Sequence, residues 1–284
     1  MSARLATVAR LQRAARMTLT VYALQAGCAA LLLWPVLAAL DPELSAGVGG
    51  ARFGPTEAAL LLELGARDGR QWLFWTLGCV AGWALLAPLL ALAWLHALTR
   101  SQPVLASLAR AASGYLPALA LGACALGCWG VGLGAAALLL QPGVAGVLPH
   151  SAAIERAWTV GAVAPVILTG LLVSPAHDLA RARLALGARL GPALRFAISG
   201  LTLRLVAQHA LLVAAALGVA ACAEAATRLP PALPGALVLA LQQALVLGAT
   251  LLRASWLAIA VLASEASAPS PPLRNGDLDA ERLA

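Results

Sequence analysis

The sequence predicts an all-α polytopic membrane protein: six transmembrane helices with amphipathic helices on the cytoplasmic side. Three observations carry that prediction. Apolar runs of about 20 residues recur along the chain, the length needed to cross a hydrocarbon core of about 30 Å as a helix. Mean hydropathy is +0.87 and only 11% of residues are charged, against about a quarter in soluble domains. Arginines gather in alternate connections, and basic connections stay on the cytoplasmic side.

The basic stretch 175–204 organises the reading. It holds Arg181, Arg183, Arg189, Arg195 and Arg204 between two apolar runs, so its sidedness sets that of every other segment. All 19 basic residues are arginine, a pattern of GC-rich coding rather than of chemistry. The net charge of +7 therefore reads as topology and lipid contact, not as nucleic-acid affinity.

In chain order, residues 1–16 form a cytoplasmic amphipathic helix, with Leu5, Val8 and Leu11 near one face and Arg10 and Arg13 on another. Residues 17–40 are the first span, too long for a signal-peptide core and without a convincing cleavage site. Residues 41–70 read as the longest external loop, with a short helix opened by Pro55 and ended by Gly65 and Asp68-Gly69; packing of that helix on its own spans is the ordinary reading and a lid or partner surface the sharper one. The second span, 71–98, has Trp72, Trp75 and Trp94 as interfacial anchors and Gly78 and Gly82 as a close-approach pair. Pro88 would kink its inner half. A cytoplasmic helix follows from Pro103, and the third span, 115–140, offers a small-residue face of Gly127, Gly130 and Gly134. The fourth span, 157–174, is expected to stop at Pro175.

Beyond Pro175, residues 179–190 form an imperfect amphipathic helix in which Arg183 must snorkel. Asp178 and Arg181 stand three apart and can pair. Gly191-Pro192 is expected to break that helix, and 193–200 leads into the fifth span, 201–223. The sixth span is 235–263, and 264–284 is a Pro/Ser-rich tail expected to be disordered. With that layout 13 arginines lie inside and five outside, with Arg253 left within span six, which puts both termini in the cytoplasm.

A three-fold repeat is suggested by LQRAARM at 11–17, LARAASG at 108–114 and LRFAISG at 194–200. Each piece precedes an outward-going span, as one cytoplasmic helix plus one transmembrane hairpin per unit would require. Chance matching in a chain so rich in Ala and Leu is the rival explanation. The run HDLARARL at 177–184, with Asp178, Ala180, Arg181 and Leu184 just inside the fourth span, resembles a loose group of uncharacterised bacterial six-span inner-membrane proteins. The resemblance covers the topology and about 30 residues. It implies a fold and a bacterial inner-membrane location, with no activity attached.

Catalytic motifs do not stand out: there is no P-loop, HExxH or GxSxG, and no paired carboxylates lie within a span. The five cysteines sit in apolar runs and read as small buried hydrophobes. His96, His177 and His209 come from three spans or their ends, where interfacial histidine is the ordinary reading and a shared metal the sharper one. No cofactor is expected. The candidate polar seam of spans five and six is Arg204, Gln208, His209, Gln242, Gln243 and Arg253, since polar groups in a bilayer tend to face a bundle interior or cavity. The candidate cytoplasmic interaction loop is His177, Asp178, Arg181, Arg183, Arg189 and Arg195. Arg253 either snorkels or turns inward to Gln208, His209 or a freed carbonyl. The function expected is a non-enzymatic scaffolding, assembly or regulatory role at the cytoplasmic face. A permease subunit is the alternative and a membrane-embedded lipid-processing enzyme the second. Anionic lipid, a membrane-protein partner or a second copy of the chain are the expected partners.

Overall fold

The structure is a computed structural model that describes residues 3–44, 55–100, 102–140, 152–226 and 235–267. The described residues form nine helices and no strand: α1 (Ala3–Arg13), α2 (Ala15–Leu44), α3 (Pro55–Thr99), α4 (Val104–Ser113), α5 (Tyr115–Leu139), α6 (Ala152–Ala185), α7 (Leu190–Ser199), α8 (Leu203–Ala226) and α9 (Gly235–Ala266). Six of them, α2, α3, α5, α6, α8 and α9, are long and apolar enough to cross a membrane. The order is short, long, long, three times over. Gly114 and Gly200 sit between a short helix and the next long one, whereas in the first unit that place falls to Ala14, three residues before the position given by the letter match.

Several boundaries differ from the sequence reading, for identifiable reasons. The segment read as a loop helix ending at Gly65 and Asp68-Gly69 is the first part of α3, a single helix of 45 residues. A glycine inside a helix costs only about 1 kcal/mol relative to alanine, and the surrounding Leu, Ala and Glu are strong helix formers, so those glycines do not stop it. Residues 45–54 of the expected lid lie outside the described residues. Likewise α6 does not stop at Pro175 but runs on to Ala185. Pro175 is fully buried, and membrane helices tolerate proline where neighbouring helices cover the freed backbone groups.

The stop comes at Gly187, whose φ is +91°. Its N–H donates to the Leu184 carbonyl at 2.9 Å, and the Ala188 N–H donates to the Arg183 carbonyl at 3.0 Å. That pair of bonds is a Schellman cap, which needs a left-handed residue where only glycine is unstrained. Gly191-Pro192 breaks nothing. Both lie in the first turn of α7, where proline's missing N–H has no partner to lose. At the other end of the chain α9 continues to Ala266, so residues 264–266 of the expected tail are helical; 268–284 lie outside the described residues.

The buried core is gathered at one end of the bundle. It takes Ala14 directly after α1, Met17 and Val21 from the start of α2, Leu90, Leu92–Leu95, Ala97 and Leu98 from the end of α3, and Ala118 and Leu121 from the start of α5. Leu179, Ala180 and Ala182 close α6, and Ala254 and Trp256–Val261 come from α9. The short helices cap this same end, each setting an alanine into the core or beside it: Ala14, Ala111 and Ala197 are all buried. Of the six apolar helices α9 is the most enclosed, with 39% of its apolar window buried, and α8 the least, with 6%. Thus α9 is the central post and α8 a peripheral helix with a long lipid-facing side.

Close helix contact occurs at other glycines than the sequence suggested. A Cβ placed on Gly78, Gly82, Gly127, Gly130 or Gly134 would meet nothing within 4 Å. On Gly132 it would lie 2.4 Å from Thr169 Oγ1, so α5 and α6 touch there and no side chain fits. Trp94, expected as an interfacial anchor, is instead buried, its indole N–H donating to Thr18 Oγ1 at 3.0 Å.

Candidate functional site

The Asp178 side chain is buried without exposure, and the site is built around it. It lies on the last two turns of α6, inside the bundle because that helix carries on past Pro175. Carboxylates in an apolar interior need donors on both oxygens. Asp178 has them: Arg253 Nη2 donates to Oδ1 at 2.7 Å, and Trp256 Nε1 donates to Oδ2 at 2.8 Å. Both donors come from one face of α9, three residues apart, so one carboxylate bolts α6 to α9. The guanidinium of Arg181 lies 4.0 Å from Oδ1, on the same helix.

Around this bolt the other groups fall into two clusters. Arg181 Nε donates to His177 Nε2 at 3.0 Å, and Arg181 Nη2 stands 2.9 Å from Nδ1. A neutral imidazole has a single acceptor nitrogen, so only one of the two contacts is a hydrogen bond. On the opposite side His209 of α8 packs its ring against Trp256, centroids 4.7 Å apart. His209 is only 4% exposed, and its Nδ1 is buried without a hydrogen-bond partner. His209, Arg253 and Trp256 line a small cleft of about 70 Å³ between α8 and α9. A second, larger cleft of about 290 Å³ lies between α5, α6 and α7; it is almost wholly apolar and is bounded by Cys124, Cys128 and His177.

The residues proposed from the sequence are therefore regrouped. In the seam, only His209 and Arg253 meet. Gln208 and Gln242 are half-buried, Arg204 is exposed at the start of α8, and Gln243 accepts a hydrogen bond from the Tyr22 hydroxyl at 2.6 Å. Gln243 lies ten residues before Arg253 along α9, about 15 Å away, so the polar residues form no continuous path. In the loop set, His177, Asp178 and Arg181 lie on α6 itself. Arg183 sits over the Phe196 ring, 4.2 Å from its centroid, and donates to the Ser267 carbonyl at 3.1 Å. Arg189, at the N-cap of α7, and Arg195, in the middle of that helix, are exposed.

Arg253 turns inward, but to Asp178 rather than to Gln208 or His209. Arg253 is the lone charge within span six and so called for a counter-ion, but nothing in the sequence singled out Asp178, which stands among His177, Arg181 and Arg183. Ending α6 at Pro175 had placed Asp178 in water and hidden it. Trp256 was missed for a related reason, because a tryptophan near a span end reads as an interfacial anchor.

A further tie fastens the termini. Arg10 donates to the Leu98 carbonyl at 3.1 Å and pairs with Glu265, joining α1 to α3 and α9. No three His, Cys, Asp or Glu side chains converge among the described residues. No protein-family model, curated protein or solved structure matches this chain.

Proposed function

We propose that the protein is a non-enzymatic integral protein of a bacterial inner membrane, with both termini in the cytoplasm, that scaffolds, assembles or regulates a partner at the cytoplasmic face. One observation carries this reading: the buried charge is tied up in holding helices together. Asp178 has both oxygens engaged by donors and no exposed atom, so it cannot take a proton from a substrate without releasing α9. The arginine distribution and the resemblance of the 177–184 run support the location. A densely packed, helix-capped end suits a platform better than a moving gate.

Arg189 and Arg195 are the exposed charges of α7 and supply the partner contact in this reading. The test is recovery of partners from mild detergent with the full chain and with the Arg189→Glu/Arg195→Glu variant. A scaffold predicts a discrete protein that co-purifies with the first and is lost from the second, while membrane insertion is unchanged. Transport or lipid conversion by the chain reconstituted alone would overturn the reading.

A further inference from the structure

We propose that the cleft between α8 and α9 binds an anionic phospholipid of the leaflet at the helix-capped end, its phosphate on Arg253 beside His209 and one acyl chain along the cleft. The inference depends on these helices spanning a membrane and is independent of the scaffolding role.

Charge is the first argument. Asp178 carries one negative charge and faces two arginines, Arg253 and Arg181, so the cluster has one positive charge in excess. The acid nearest in sequence to Arg253 on α9, Glu265, is held by Arg10. A surplus charge in a medium of low dielectric calls for a counter-ion. Arg181 is covered by His177 and the bundle, while the Arg253 side chain stays 40% exposed. Of the five N–H donors on a guanidinium, one is used on Asp178. The rest form a planar fork suited to a phosphate.

Geometry is the second argument, and it is independent of charge. His209, which lines the same cleft, is buried yet leaves Nδ1 without a partner. Buried polar atoms left unpaired are rare and point to a group that is not protein. The apolar walls then run in one direction only. From His209 the cleft follows α8 through Leu212, Val213 and Ala216, and from Arg253 it follows α9 back through Leu252 and Ala249. Both lead away from the capped end, towards mid-membrane. A head group at the capped end with a chain pointing inward is the orientation a lipid of that leaflet has. At about 70 Å³ the cleft is a channel for part of one chain, well below the roughly 300–1,000 Å³ of pockets that enclose a small molecule.

The test uses the full-length chain in detergent, titrated with palmitoyl-oleoyl phosphatidylglycerol, the matching phosphatidylcholine, or oleate, with binding read by native mass spectrometry. Three single variants accompany it. Ala216→Phe and Ala249→Phe fill the cleft and leave the Asp178 bonds alone, and Arg253→Lys keeps the charge but loses the fork. We expect phosphatidylglycerol to bind about tenfold more tightly than phosphatidylcholine, and each Phe variant to weaken it about tenfold with an unchanged melting point in the absence of lipid. Arg253→Lys should weaken phosphatidylglycerol as well. Equal binding of the anionic and zwitterionic lipids, or full binding by both Phe variants, would overturn the proposal. Tighter binding of oleate than of phosphatidylglycerol would replace phosphate by carboxylate and overturn it too.

Discussion

At Asp178 the two ends of one ion pair differ in surroundings, and that difference sets what mutation will do. The carboxylate is fully buried, whereas the arginine side chain is 40% exposed. Removing Arg253 takes the direct charged donor from a fully buried carboxylate and leaves Arg181, 4.0 Å away, as its nearest charge; removing Asp178 leaves Arg253 free to turn to the interface. We therefore expect Arg253→Met to cost about 3–5 kcal/mol, the usual penalty for breaking a buried pair from one side. Asp178→Asn should cost clearly less, because the amide oxygen can still accept from Trp256 or Arg253. The double variant Asp178→Leu/Arg253→Met should not recover the loss, because it leaves Arg181 and the Trp256 indole N–H without their acceptor. Thermal unfolding of the four proteins in one detergent checks all three expectations. A melting point for Arg253→Met equal to that of the unmodified chain would mean the pair holds nothing. Gly132 offers a second contrast: Gly132→Val should separate α5 from α6, because its Cβ would stand 2.4 Å from Thr169 Oγ1, while Gly82→Val should be silent. Both follow from melting points and from cross-linking of α5 to α6.

Among the elements, α6 and α7 show how a single glycine divides one basic stretch into two functional pieces. The Schellman cap at Gly187 ends α6 only after it has carried Asp178 and Arg181 into the bundle. Arg183 then ties the corner, against Phe196 of α7 on one side and the Ser267 carbonyl on the other. Gly187→Ala forces a Cβ into the left-handed region and should cost about 1–2 kcal/mol. Because the cap is local, this variant should leave the Asp178–Arg253 bond in place. Faster amide exchange confined to residues 183–200 is the expected signature; global loosening would show that the corner and the bolt are one unit.

At the scale of the molecule, packing among the described residues is concentrated at one end. Lipid tails are as apolar as leucine, so helices in a bilayer gain little from hydrophobic burial and are held by close packing and polar contacts. The bonds of Asp178, Arg10, Trp94 and Arg183 all lie at the capped end, where the core also sits. The proposed topology, with both termini in the cytoplasm, predicts that cysteine placed by Glu57→Cys reacts with an impermeant reagent in intact cells. Cysteine placed by Ser270→Cys should react only after permeabilisation, and early labelling of the tail would reverse the topology.

The number of crossing helices and the helical class were legible in the sequence because they depend on quantities summed over 20 residues or more, such as apolar run length and mean hydropathy. Local averages of that kind survive without knowledge of neighbours. Helix ends were less legible: Pro175 and Gly191-Pro192 have the composition of breaks, but tertiary cover and position within a turn decided otherwise. The partner of Arg253 was decided by the fold alone. Asp178 is 75 residues away in the chain, and no periodicity or motif spans such a separation. Only the parallel placement of α6 beside α9 brings the acid and the base within 2.7 Å, and the low dielectric there makes their pairing obligatory.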